Sequence, residues 1–251
     1  MGKNKLRKFA EMETFPNVIQ CSAGETPDLN IPHSIAGNWN STFFHNNNPI
    51  VLELGCGRGE YTVGLAQLFP NKNFIGIDIK GARIWTGAKQ AIQLQLRNVG
   101  FLRTNIEFLT RFFSHDEIEE IWITFPDPQM KKATKRLTST FFCNRYQQIL
   151  KDGGIINLKT DSPFLYKYTH EMVSVNCFPV IADTDDLYHS VLTDNILNLK
   201  THYERQWLDR GMTIKYISFR LPHRQQYEEP NIEIEKDTYR SYGRNYHVKD
   251  E

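Results

Sequence analysis

Paired cysteines are missing from this chain. Its four, at positions 21, 56, 143 and 177, form no CxxC and no regular spacing, which argues against a zinc site and against a disulfide framework. Apolar runs of membrane-spanning length are missing as well. The opening Met1-Gly2-Lys3-Asn4-Lys5-Leu6-Arg7-Lys8 is basic like the start of a signal peptide, but no apolar stretch follows, so the expected compartment is the cytoplasm, with no membrane contact. Charge of one sign is also lacking: 30 Lys and Arg stand against 29 Asp and Glu, a formal net charge of +1. That balance excludes a basic coat over the whole surface and leaves local clusters, residues 3–8 and 131–136, as the faces suited to phosphates. No repeat of fixed period is visible. His170, His189 and His202 have no metal-ligand spacing such as HxxxH, so no metal is expected.

What is present is an average globular composition, 40% hydrophobic and 24% charged over 251 residues, enough for one principal domain. Residues 1–48 lack sustained periodicity, contain Pro16, Pro27 and Pro32 and end in a polar run, and so read as an irregular arm. The folded domain is expected to occupy residues 49–251. Strand-length apolar runs at 50–54, 74–77, 99–102, 121–125 and 155–158 alternate with helix-like stretches at 59–69, 82–96, 139–150 and 162–175, with Asp152-Gly153-Gly154 as a turn signal. Such alternation implies parallel strands with right-handed crossovers, hence an α/β doubly wound, mostly parallel sheet. Residues 213–220 alternate with period two and are expected to close it as an antiparallel edge strand.

The first strand runs into Gly55-x-Gly57-x-Gly59 before a helix, the place where open α/β sheets bind ligands. Two cofactors compete for such a loop. A dinucleotide prefers GxGxxG, with its pyrophosphate on the helix N-terminus, but Glu60 occupies the position of the third glycine, and a carboxylate there is a poor host for pyrophosphate. S-adenosylmethionine carries no phosphate; its sulfonium and ammonium suit a loop flanked by carboxylates such as Glu53. Asp78, at the end of the second strand, stands where an acid receives the hydrogen bonds of a ribose diol, a role that serves either cofactor. Packing glycines without any ligand are the bland alternative.

The fourth strand leads into Phe125-Pro126-Asp127-Pro128-Gln129-Met130-Lys131-Lys132-Ala133-Thr134-Lys135-Arg136, an acid between two prolines followed by four cations. The prolines stiffen the loop, a carboxylate at a strand's C-terminal end can meet both cofactor and substrate, and the cations can neutralise phosphates. Together with Leu52-Glu53-Leu54-Gly55-Cys56-Gly57-Arg58-Gly59, Gly76-Ile77-Asp78, Thr160-Asp161 and Thr201-His202-Tyr203-Glu204-Arg205, this segment resembles the tRNA (guanine-N7-)-methyltransferase family of the bacterial single-chain type. The opening residues 3–10 also resemble that family's basic arm, which implies that the 1–48 arm is partly mobile without RNA.

The resemblance implies a class I S-adenosylmethionine-dependent fold that methylates N7 of a variable-loop guanosine in tRNA. It implies no metal and no obligatory protein subunit, the chain acting as a monomer or homodimer. By position it assigns Glu53, Gly55, Gly57, Asp78, Asn105 and Asp127 to S-adenosylmethionine, and Lys131, Asp161, Thr201, His202, Tyr203 and Glu204 to substrate, with Asp127 as the catalytic residue. Three positions depart from the family pattern: Asp78 where glutamate is frequent, Asn105 where aspartate is usual, and Gln129-Met130 in place of Trp-Pro. The first two keep hydrogen-bonding capacity, whereas losing the tryptophan removes a packing surface from the catalytic loop. From the residues alone, Asp161 also suits a helix N-cap before Ser162-Pro163, and 201–204 an exposed strand or turn. A methyltransferase acting on another RNA base or a small molecule, and a non-catalytic RNA-binding protein, are the alternative functions.

Overall fold

A computed structural model describes residues 3–20 and 31–238, without the side chains of 3–5. It contains one eight-stranded sheet: β1 (Val18–Gln20), β2 (Ile50–Leu54), β3 (Asn73–Asp78), β4 (Val99–Arg103), β5 (Ile118–Thr124), β6 (Leu150–Thr160), β7 (Val180–Thr184) and β8 (Lys215–Leu221), in the order β1-β4-β3-β2-β5-β6-β8-β7. The first six pair parallel; β8 runs antiparallel to β6, and β7 antiparallel to β8. Strand order reverses at β2, whose neighbours are β3 and β5. That crevice, at the carboxyl ends of the strands, is where ligands bind in open α/β sheets.

Helices cover both faces of the sheet. On one lie α1 (Lys3–Met12), α2 (Glu60–Leu68) and α3 (Gly81–Gln93), whose apolar side chains join Val51, Phe74 and Phe101 in one core cluster. On the other, α4 (Leu109–Phe112), α5 (Thr140–Tyr146) and α6 (Pro163–Val175) pack with Leu52, Ile75 and Ile121 in a second. A short last helix, α7 (His202–Leu208), lies on the first face, where Trp207 and Leu208 pack against that cluster. β2 and β3 are buried along their whole length, which is why they read as continuous apolar runs without alternation.

Three expectations change. The segment read as irregular carries α1 and β1, with β1 pairing onto β4 as a sheet edge and Met12 and Trp39 fully buried. Composition missed this because the stretch is mostly polar: only a few apolar residues, Phe9, Met12, Val18 and Trp39 among them, make the docking contacts. The strand expected at 213–220 forms, but as the penultimate strand; the antiparallel edge is β7, a short strand with an exposed pattern that gave little sequence signal. Asp152-Gly153-Gly154 is not a turn between elements but part of β6, where Gly153 takes φ +68° and the register against β5 shifts. Among the described residues no helix is long and apolar enough to cross a membrane.

Candidate active site

The loop after β2 makes three left-handed turns in five residues, with φ of +76° at Gly55, +55° at Gly57 and +71° at Gly59. The requirement differs along it. At Gly59 a side chain is excluded by packing, since a Cβ would lie 2.6 Å from the Phe101 ring; at Gly55 a Cβ would meet nothing within 4 Å, because that backbone faces open space. The Asp78 carboxylate holds the loop: Oδ2 accepts from Gly57 N at 3.0 Å and Oδ1 from Lys80 N at 2.8 Å. Each oxygen keeps a lone pair for a further donor.

Across the crevice, β5 runs into the 125–136 loop. Phe125 and Gln129 adopt φ of +51° and +48°, a conformation that costs an L-residue energy and persists only where its surroundings hold it. Here they do. Phe125 N donates to Lys159 O at 2.8 Å, and Asp127 Oδ1 accepts from Gln129 N at 3.0 Å. The Arg136 guanidinium reaches back to the Gln129 and Met130 carbonyls, at 3.3 Å each, while lying over the rings of Phe164 and Tyr168. Asp237 N points at Met130 Sδ, 3.2 Å away, and the Asp237 side chain binds Ser162 and the Phe164 N–H. The loop with Gln129-Met130 is thus held by an arginine clamp and a strap from the C-terminal segment.

Between the two loops lies a cleft of about 580 Å³, a size suited to a nucleoside ligand. Gly55, Asp78, Ile79, Lys80 and Arg83 line one side; Ile106, Phe125, Pro126, Asp127, Gln129, Lys135 and Leu137 line another; Tyr203 and Trp207 close it. Asp127 is exposed to it. The Arg83 guanidinium lies 5.4 Å from the Tyr203 ring centre, and Lys135 pairs with Glu107.

The remaining expected residues fall elsewhere. Glu53 is buried under the glycine loop, with Oε2 accepting from the Thr62 N–H at 2.8 Å and from the Thr62 hydroxyl, and Oε1 from the Thr124 hydroxyl at 2.7 Å. Burial pushes its carboxyl up to about 7 despite those bonds. Asn105 caps the short 3₁₀ turn Ile106–Phe108, accepting from Glu107 N at 3.2 Å, beside the cleft. Lys131 is exposed and is not among the residues that line the cleft. Asp161 is fully buried within electrostatic range of Lys215, and the N-cap of α6 is Ser162, not Asp161. Thr201 and Glu204 form a capping box at the start of α7, a helix where sequence suggested a strand or turn; both are buried. His202 N binds Glu60 Oε2 at 3.0 Å, so the residue in the third-glycine position tethers α7. Of these four, Tyr203 lines the cleft.

Comparison with known proteins agrees with this geometry. The family described as "Putative methyltransferase" matches residues 47–217. A tRNA (guanine-N(7)-)-methyltransferase of Bacteroides fragilis is 59% identical over 244 residues, covering 97% of this chain and 96% of that protein. One from Porphyromonas gingivalis is 59% identical over 235 residues, covering 93% and 96%. The chain belongs to the tRNA (guanine-N(7)-)-methyltransferase family. Among solved structures, the 16S rRNA methyltransferase KamB superposes with a TM-score of 0.59 at 12% identity, over 76% of this chain and 96% of its own, which shows the shared fold.

Methyltransferases of this family use S-adenosylmethionine as donor, and the cleft fits it. The open backbone at Gly55 leaves room for it, the spare lone pairs of Asp78 can accept from a ribose diol, and the nearby carboxylates favour its cationic sulfonium and ammonium. Sequence reasoning did not single out Arg83, Lys135 or Trp207 as cleft residues. Trp207 was within reach, since it stands four residues after Tyr203 and so on the same face of α7. Arg83 carries no motif, and Lys135 was read only as one of the phosphate-facing cations of the 125–136 loop; the fold brings both to the cleft. Among the described residues one group, His115, Asp116 and His223, brings possible metal ligands within 4.8 Å of one another, at the opposite end of the sheet from the cleft.

Proposed function

We propose that this cleft transfers the methyl group of S-adenosylmethionine to N7 of a guanosine in the variable loop of tRNA, with Asp127 as the catalytic carboxylate. The observation that carries the reading is the placement of Asp127: exposed, on a loop held by the Arg136 clamp, across a nucleoside-sized cleft from Gly55 and Asp78. The 59% identical relatives named for this reaction support the substrate.

Guanine N7 presents a lone pair on the major-groove edge and carries no proton, so no general base is required. Catalysis then rests on alignment and on charge. The Asp127 carboxylate accepts from guanine N1–H and the exocyclic amine, turning N7 toward the donor, and stabilises the positive charge that the purine acquires. S-adenosylmethionine would supply the electrophilic methyl and leave as S-adenosylhomocysteine when its S–CH3 bond breaks; the Gly55–Gly57 backbone, Asp78 and Asn105 would hold it. Buried Glu53 acts through Thr62 and Thr124 as the support of the glycine loop. Exposed Lys131 and its neighbours hold phosphates, so the chain meets tRNA with a local basic face. It is proposed to do so in the cytoplasm, as a monomer or homodimer, without a partner subunit.

Base-resolved mapping of unmodified tRNA after incubation with the purified protein and S-adenosylmethionine tests this directly. N7-methylguanosine at a single variable-loop position is expected; its absence, or methylation at another base, overturns the assignment.

A further inference from the structure

Thr201, His202, Tyr203 and Glu204 enter the site as a group by resemblance, yet the fold treats them differently. Tyr203 lines the cleft with Trp207, one turn along α7. Glu204 is turned the other way, into a pocket with no solvent exposure. There its Oε1 meets Lys159 Nζ at 2.8 Å, with both side chains fully buried, and receives the Tyr188 hydroxyl, while Oε2 accepts from Thr201 N at 3.2 Å. Lys159 also donates to Leu197 O at 2.7 Å and to Leu199 O at 3.1 Å, the segment leading into α7. Through its backbone, Lys159 O receives Phe125 N at 2.8 Å, at the entry to the loop that bears Asp127. One residue of β6 therefore touches both walls of the cleft, its ammonium holding α7 and its carbonyl holding the catalytic loop. A buried ion pair adds little net stability over an apolar pair, but it fixes register, because breaking it strands a charge.

We propose that Lys159, with Glu204 and Tyr188, is a positioning residue that sets the aromatic wall of the cleft, Tyr203 and Trp207, against the loop bearing Asp127, and that Thr201 and Glu204 act on the target nucleoside only through that wall. The half that concerns the nucleoside rests on the cleft being the tRNA site; the half that concerns α7 does not. A seven-residue helix is too short to hold its own shape, so its position depends on such tethers. A second tether, the part-buried bond from His202 N to Glu60 Oε2, involves neither Lys159 nor Glu204.

A double-variant cycle separates this from direct contact. Glu204→Gln, Lys159→Gln and the combination are compared in the full chain by amide hydrogen exchange across residues 202–208, by S-adenosylhomocysteine affinity, and by KM and kcat with tRNA. Each single variant strands a buried charge; the pair does not, and both glutamines retain a donor and an acceptor. The expected result is faster exchange at 202–208 and a roughly ten-fold higher tRNA KM in Glu204→Gln, S-adenosylhomocysteine affinity within about two-fold, and recovery of both exchange and KM in the double variant. Exchange that recovers while KM does not means that Glu204 touches the RNA, and overturns the proposal. Unchanged exchange in Glu204→Gln overturns the anchor itself. Tyr203→Ala is expected to raise KM with normal exchange elsewhere in the chain; a normal KM overturns the aromatic wall. Should the single variants fold poorly, Tyr188→Phe keeps the ion pair and removes one hydrogen bond, and a smaller acceleration of exchange at 202–208 is expected, no change there counting against the anchor. If the wild-type chain leaves tRNA unmethylated, the proposed function fails, while the exchange measurements still decide the anchor.

Discussion

Asp127 draws its value from a backbone that an unconstrained chain avoids. Two positive-φ residues flank it, and the cost is borne by the clamp of Arg136 and the packing of α6 and the C-terminal segment, so the carboxylate is in place before substrate arrives. Asp127→Asn keeps the size and the hydrogen bond to Gln129 N and removes the charge. Turnover is expected to fall by about a hundred-fold or more, with S-adenosylhomocysteine affinity and thermal unfolding little changed; near-normal turnover in single-turnover assays removes Asp127 from the chemistry. Glu53 illustrates the opposite arrangement, a carboxyl shielded from water. Its native value near 7 lies above the ordinary 4.5, so between these the folded state keeps a proton that the unfolded state releases. Stability therefore falls as pH rises from about 4.5 to 7, and the whole cost, about 3 kcal/mol, stands above that window. Urea unfolding of Glu53→Gln beside the wild type is expected to show the variant gaining relative stability between pH 5 and 8; a difference independent of pH contradicts a raised Glu53.

At the scale of elements, α7 is the informative case. Seven residues nucleate poorly alone, and the helix is held by its capping box, by Glu60 at its N-terminus and by buried Lys159. Thr201→Ala removes the side-chain acceptor of the Glu204 N–H and is expected to destabilise the protein by about 1 kcal/mol, measured by chemical denaturation, with a rise in tRNA KM larger than any fall in kcat. A fall in kcat alone instead implicates Thr201 in the chemical step. The capping pattern Thr-x-x-Glu was present in the sequence at 201–204, but Thr-x-Tyr is also common strand material, and a helix this short offers no periodicity to decide between them. The burial of Glu204 was invisible for a similar reason, since its partner Lys159 lies 45 positions away in the chain.

At the scale of the molecule, the sheet has two strands more than apolar patterning indicated: β7 at one edge and, at the other, β1, which docks with α1 on β4 and α3. Lys8 and Lys89 lie over the Trp85 ring, Glu11 pairs with Lys89 at 2.6 Å, and the Arg103 guanidinium covers Phe9. Met12 is fully buried beneath them. Met12→Ala is expected to cost about 2–5 kcal/mol in urea unfolding, whereas an undocked arm predicts no effect. RNA binding also belongs to this scale, since a chain of net charge +1 depends on local basic clusters. Lys131→Ala is expected to weaken tRNA binding to a similar degree for different tRNAs and to lower the magnitude of the log–log salt slope by about one contact; an unchanged slope places Lys131 away from phosphate.

Sequence by itself determined the doubly wound parallel core, the glycine loop with Asp78, the Asp127 loop and the family, because each rests on short-range spacing that folding preserves. Apolar runs become buried strands, and glycines remain where φ must be positive. Tertiary structure alone decided which residues of those motifs face the cleft. Glu53, Thr201 and Glu204 turn inward to support the glycine loop and α7, and Asp161 is fully buried within electrostatic range of Lys215, whereas Asp78, although largely buried, lines the cleft with Asp127 and Tyr203. It also decided that the N-terminal stretch joins the sheet and that Arg83, Lys135 and Trp207 enter the site. The physical reason is that side-chain direction and desolvation are set by partners far along the chain, as Lys159 is for Glu204, and no local pattern encodes them.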